Sequence, residues 1–98
     1  MAKTRRIRDP RKLIDLTSIG PAAVADFDRL GIREVRQLRG KSARGLYERL
    51  CRLTGERHDP CCEDVFAAAI AQAEDPGLPA MKRRWWYWSR VRKSRRAP

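Results

Sequence analysis

LIDLTSIGPAAVADFDRLGI, residues 13–32, reads as two short helices joined by the tight turn Ser18-Ile19-Gly20-Pro21. Leu13 and Leu16 share one face of the first helix, and Ala23, Phe27 and Leu30 recur at helical spacing in the second. Gly20 is the residue expected to take a positive φ, and Pro21 has the φ of a helix's first turn. Gly31, without a Cβ, stops the second helix. The pattern is a helix-hairpin-helix.

Such a turn leaves backbone N–H groups unpaired at the start of its second helix, with the helix dipole behind them, and a phosphate oxygen fits there. Gly20, Ala22 and Ala23 are the expected donors, and Ser18 adds a hydroxyl. The same motif also serves only to pack two helices together, and composition separates the two uses.

Outward from the hairpin the chain stays helical. Asp9-Pro10 is a helix start, an Asp able to cap free N–H groups before a Pro that needs none, so a first helix is expected over about residues 10–16. Residues 1–8 precede it as a flexible basic arm. Val35 and Leu38 give a short connecting helix within 33–38, and Ser42 caps the next, over 42–54. There Leu46, Tyr47, Leu50, Cys51 and Leu53 form one apolar stripe, and Gly45 implies a close backbone contact because glycine costs about 1 kcal/mol in a helix. Gly55 ends that helix, and Asp59-Pro60 starts another that runs to about Ala73 with an Ala-rich apolar face. Asp75-Pro76-Gly77 breaks the chain, residues 78–81 are irregular, and KRRWWYWSRVRKSRR follows as a basic and aromatic tail. The expectation is an all-α fold: a small five-helix bundle divided into an arm (1–8), a helix-hairpin-helix domain (9–88) and a basic tail (89–98).

Ninety-eight residues hold one small domain with little room for a buried cleft. The net charge of +11 belongs to the two ends. Residues 1–12 carry six Lys or Arg against one acid, and residues 82–98 carry eight against none, whereas residues 13–81 are net −2. Terminal blocks of this kind meet polyanions, with DNA favoured over RNA here, or serve as solvated tails. No run reaches the roughly 20 apolar residues of a membrane span, no apolar signal core follows the basic start, and neither end is a broad amphipathic helix, so no membrane partner and a cytoplasmic location are expected.

Within the tail, Lys82, Arg83 and Arg84 precede Trp85, Trp86, Tyr87 and Trp88, cations beside flat rings that suit phosphates and unpaired bases. Trp85 and Trp86 are expected to fold back over a core poor in large residues, which leaves Trp88 as the ring for a ligand. Arg90, Arg92, Lys93, Arg95 and Arg96 are too dense in charge to pack, and five phosphate contacts imply a salt slope of about −4 to −5. No helix presents a face for reading base edges, and the chain contains no Asn, so binding is expected to be blind to sequence.

Cys51, Cys61 and Cys62 are too few and too close for a secreted disulfide framework. With His58 they are the one set of metal-type ligands, weak candidates because adjacent cysteines hold a tetrahedral ion poorly. Burial beside a capping Asp59 is the favoured reading. The sharper alternative places Cys61 or Cys62 at a helix start, where the dipole and Arg57 lower a thiol pKa and support redox chemistry. Asp26, Asp28, Glu48, Glu63 and Asp64 lie scattered at helix surfaces and form no acid and base pair, so no enzyme, no catalytic residue and no cofactor are expected.

The hairpin, the helix segment LYERLC at residues 46–51, GERHDPC at 55–61 and the pair Trp85-Trp86 together resemble the small bacterial pathogenicity-locus family, sometimes labelled mitomycin-resistance proteins. The resemblance covers roughly residues 13–92. Over the hairpin alone the chain is also similar, more distantly, to the C-terminal domain of the competence regulator TfoX. These resemblances imply a helix-hairpin-helix fold and a role in binding DNA. Against the common Pro-Gly-Ile-Gly-Pro-Lys pattern, Ser18 stands at the first Gly and Ala22 at the Lys, which removes one flexible position and one cation. A protein-interaction module that docks an acidic partner or itself is the rival reading, and a thiol redox protein the third.

Overall fold

The chain closes around its Ala-rich third helix. The computed structural model describes residues 9–96, which form α1 (Pro21–Arg29), α2 (Ala43–Thr54), α3 (Cys61–Glu74) and α4 (Trp85–Arg96), with 3-10 turns at Leu13–Asp15, Val35–Leu38 and Ala80–Arg83. There is no strand among the described residues. The fold is therefore all-α, with four α-helices among the described residues where five were expected. The arm expected over residues 1–8 lies outside the described residues.

α3 packs against α2, α4 and the 3-10 turns at 35–38 and 80–83. Small residues on several of its sides, Ala68, Ala69 and Ala73, are fully buried and let neighbours approach from more than one direction. Phe66 meets Phe27 of α1 with ring centroids 5.1 Å apart, and Leu38 and Leu50 are buried in the same cluster. Asp59 accepts from the N–H of Cys61 at 2.8 Å, as its position before Pro60 implies. At the other end, Arg11 donates to the Gln72 carbonyl at 2.9 Å and Arg39 to that of Ala73 at 3.0 Å, cations placed on the negative end of the dipole.

Several local signals hold. Ser42 caps α2 by accepting from Gly45 N–H at 3.0 Å, Gly55 ends it with φ +73°, and Gly31 turns the chain after α1 with φ +79°. Gly45 has no close backbone neighbour, because a Cβ there would meet only Ser42 at 3.5 Å. Leu53 stands exposed, outside the buried stripe of Leu46, Tyr47 and Leu50.

The first expected helix shrinks to the 3-10 turn at 13–15, flanked by extended Lys12 and Leu16. Asp9 is the reason. Its carboxylate accepts from one backbone N–H, that of Arg11 at 3.1 Å, and is otherwise taken by side chains, the Arg11 guanidinium at 2.6 and 2.9 Å and Arg39 at 3.2 Å. The Arg11 bonds hold the Asp9 carboxyl down at about 2. The connecting helix expected at 33–38 is likewise a 3-10 turn, pinned by the Gln37 side chain, which accepts from the N–H of Arg33 and Glu34.

The basic tail is the largest correction. Residues 85–96 are a helix packed on α3, and the boundary expected between residues 88 and 89 falls inside it, beside buried Ser89. No helix among the described residues is long and apolar enough to cross a membrane.

Candidate nucleic-acid interface

Three bonds set the turn before α1. The residue with a left-handed backbone is Ser18, at φ +70°, while Gly20 is extended at φ −104°. This corrects the expectation for Gly20, and the residue standing at the first glycine of the common pattern is the one that takes the glycine-type conformation. Gln72, buried in α3, holds the turn from behind: its carbonyl accepts from Thr17 N–H at 2.9 Å and its amide donates to Thr17 C=O at 2.9 Å. The Ser18 hydroxyl accepts from the N–H of Trp85 at 3.1 Å, across 67 positions of sequence. The turn and the first residue of α4 thus form one continuous surface.

At the start of α1, Gly20 is the N-cap without a side-chain cap, and the N–H groups of Gly20, Ala22 and Ala23 have no acceptor among the described residues. That is the donor arrangement expected of a helix start preceded by glycine.

Around α4 the expected site residues divide. Lys82, Arg84 and Lys93 are exposed and make no ion pair among the described residues. Arg83 is half-buried, donating to Leu78 C=O at 2.7 Å to close its loop. Arg90 lies over the Trp86 ring at 5.0 Å from its centroid. Arg92 is corrected outright: its guanidinium grips Asp64 of α3 through two bonds of 2.8 and 3.0 Å. Asp64 is 1% exposed, so it is not a surface acid, and Glu63 is buried beside it with Arg44 at 3.3 Å. The bond to Asp64 raises the Arg92 pKa above its ordinary value.

The tryptophans exchange roles as well. Trp88 is half-buried, donates from Nε1 to Lys82 C=O at 2.7 Å and meets Tyr87 edge to face, whereas Trp85 and Trp86 are each 40% exposed. Trp88 and Ser89 lie on the side of α4 that approaches the body of the protein, and Arg92 follows one turn later. The sequence carried a signal for this: Asp64 and Gln72 are polar residues flanking the apolar run of residues 65–71 in an Ala-rich helix, and each needs a partner once buried.

The cysteine region holds structure. Tyr47 donates its hydroxyl to His58 C=O, and Thr54 Oγ1 lies 2.8 Å from His58 Nε2. His58 N–H reaches Cys51 Sγ at 3.5 Å. Cys51, His58, Cys61 and Cys62 belong to no group of three or more His, Cys, Asp or Glu side chains placed to hold a metal among the described residues. Burial, then the Asp59 carboxylate, pushes the Cys61 thiol up to about 11, and burial raises Cys62 too. The shift runs opposite to the lowering expected from the dipole and Arg57.

These features define a small all-α protein whose open chemistry is cationic and aromatic. The chain belongs to the pathogenicity-locus family, whose profile matches residues 6–94. It is also similar to the mitomycin resistance protein McrB of Streptomyces lavendulae, 41% identical over 85 residues that make up 87% of this chain and 77% of that protein. No solved structure matches it.

Proposed function

We propose that this protein binds nucleic acid, DNA ahead of RNA, through backbone phosphates and without reading sequence, in the cytoplasm and without catalysis. The turn at residues 17–21 acts as a shortened helix-hairpin-helix, its first helix reduced to one 3-10 turn. One phosphate sits on the N–H groups of Gly20, Ala22 and Ala23, and the exposed cations of the α4 region supply most of the affinity. The observation that supports this reading is the bond from Trp85 N–H to the Ser18 hydroxyl, which ties the turn before the uncapped start of α1 to the segment that follows the exposed cations Lys82 and Arg84.

The test is a fluorescence anisotropy titration of labelled duplex and single-stranded DNA over a salt series. With Lys82, Arg84, Arg90 and Lys93 on phosphates, log affinity falls against log salt with a slope of roughly −3 to −4. Gly20→Asp weakens binding several-fold at unchanged stability, because nothing lies within 4 Å of its Cβ and the new carboxylate takes the donors of α1 for itself. Joint replacement of Lys82, Arg84 and Lys93 by Ala flattens the slope by roughly 2–3. Absence of binding at about 50 mM salt transfers the case to a protein-interaction module. Exposed Met81, Trp85 and Trp86 favour that second reading.

A further inference from the structure

Two indole rings stand open beside the turn. Trp85 and Trp86 are each 40% exposed at the start of α4, a large apolar area for a small protein to leave in water. Their position is fixed: Trp85 is bonded through its N–H to Ser18, and the Gln72 amide that holds Thr17 also approaches Arg83 C=O at 3.4 Å. The backbone that carries the rings is therefore held from two sides beside the turn at Ser18. The charges on their own segment of chain have one sign. Lys82 and Arg84 are exposed, Arg90 lies over Trp86, and residues 82–98 contain no acid.

An occupant of this surface must bring flat apolar faces and negative charge within a few ångströms of each other. Unpaired nucleotides do both, since a base stacks on an indole while its own phosphate meets the neighbouring cation. A continuous duplex does not, because its base faces are hidden in the stack. We propose that the Trp85 and Trp86 rings take the first unpaired bases of DNA at the point where a strand leaves a duplex, with the backbone held at the adjacent turn. This rests on the nucleic-acid reading above and narrows it from DNA in general to DNA with a single-stranded extension. Arg90 supplies the ring of Trp86 with a cation for the phosphate beside the stacked base.

The deciding experiment compares the intact protein on three labelled DNAs of equal phosphate number at one ionic strength: a blunt duplex, a duplex with a short overhang and a single strand. Anisotropy reports affinity, and quenching of the three tryptophans reports stacking. The overhang duplex binds about tenfold more tightly than the blunt duplex and quenches tryptophan emission, which the blunt duplex does not. Joint replacement Trp85→Ala and Trp86→Ala removes that preference while blunt-duplex affinity stays, and Trp85→Phe with Trp86→Phe retains part of it. Equal affinity of the intact protein for blunt and overhang duplexes overturns the proposal and leaves the phosphate reading standing. Failure to bind any of the three overturns both. An overhang preference shown only by the matching RNA overturns the choice of DNA. A dimer in sedimentation that the double Ala variant dissociates, with no overhang preference, assigns the rings to a contact between two copies and also overturns the proposal.

Discussion

The two faces of α4 use the same two residue types for opposite ends. On the inner face Trp88 is bonded through its indole N–H to Lys82 C=O, and Arg92 is clamped on Asp64 by two short bonds. On the outer face Trp86 is open to solvent and Arg90 rests on its ring. The four positions lie within seven residues, so composition does not separate them. What lies across the gap does, because a buried carboxylate turns an arginine into part of the core, and water leaves another free for a ligand.

The sharpest break of this contrast is at the paired arginines. Arg92→Ala strands the Asp64 carboxylate in the interior and destabilises by about 3–5 kcal/mol. For a domain of this size thermal melting falls by more than about 12 °C. Arg90→Ala leaves the melt within about 0.5 kcal/mol of the parent and acts only on ligand binding. Equal losses from the two variants would erase the distinction between the faces. Replacing the whole pair, Asp64→Leu with Arg92→Met, is expected to recover most of the lost stability in the same melt, as apolar substitutes for buried ion pairs do.

Gln72→Leu comes next. It leaves both backbone groups of Thr17 without their partner and destabilises by about 1–3 kcal/mol, read as a lower urea midpoint with an unchanged slope. The indoles follow on a smaller scale. Trp88→Phe loses the bond to Lys82 and about 1 kcal/mol, while Trp86→Phe leaves urea unfolding unmoved. Acid titration extends the contrast to a third arginine contact. Asp9 has a folded pKa of about 2 against an ordinary 3.8, so its contribution is whole above about pH 4 and is lost as the pH falls towards 2. In Asp9→Asn that part of the acid-induced loss disappears from a series of melts between pH 5 and 2.

What the sequence made legible was local. Ser42, Gly31, Gly55 and Asp59-Pro60 act on the backbone within a few residues of themselves, so their effects are written beside them. The start of α1 at Pro21, without a side-chain cap, was readable for the same reason. Partners far along the chain were not. Asp9 looked like a helix cap until Arg39, thirty residues on, took part of its carboxylate. The charge density of residues 90–96 argued against packing, and Asp64, 28 residues before Arg92, reverses that for Arg92. Ser18 took the left-handed conformation assigned to Gly20, since the hydroxyl it presents to α4 is one that glycine lacks.

The Asp64–Arg92 clamp also sets an order of events during synthesis. A nascent chain of 75–91 residues holds the whole of α1, α2 and α3 yet lacks the partner of the buried acid in the first turn of α3. Until Arg92 clears the ribosome, Asp64 must stay hydrated and one side of α3 uncovered. The turn before α1 is made first, but its bond to α4 waits until Trp85 has been added.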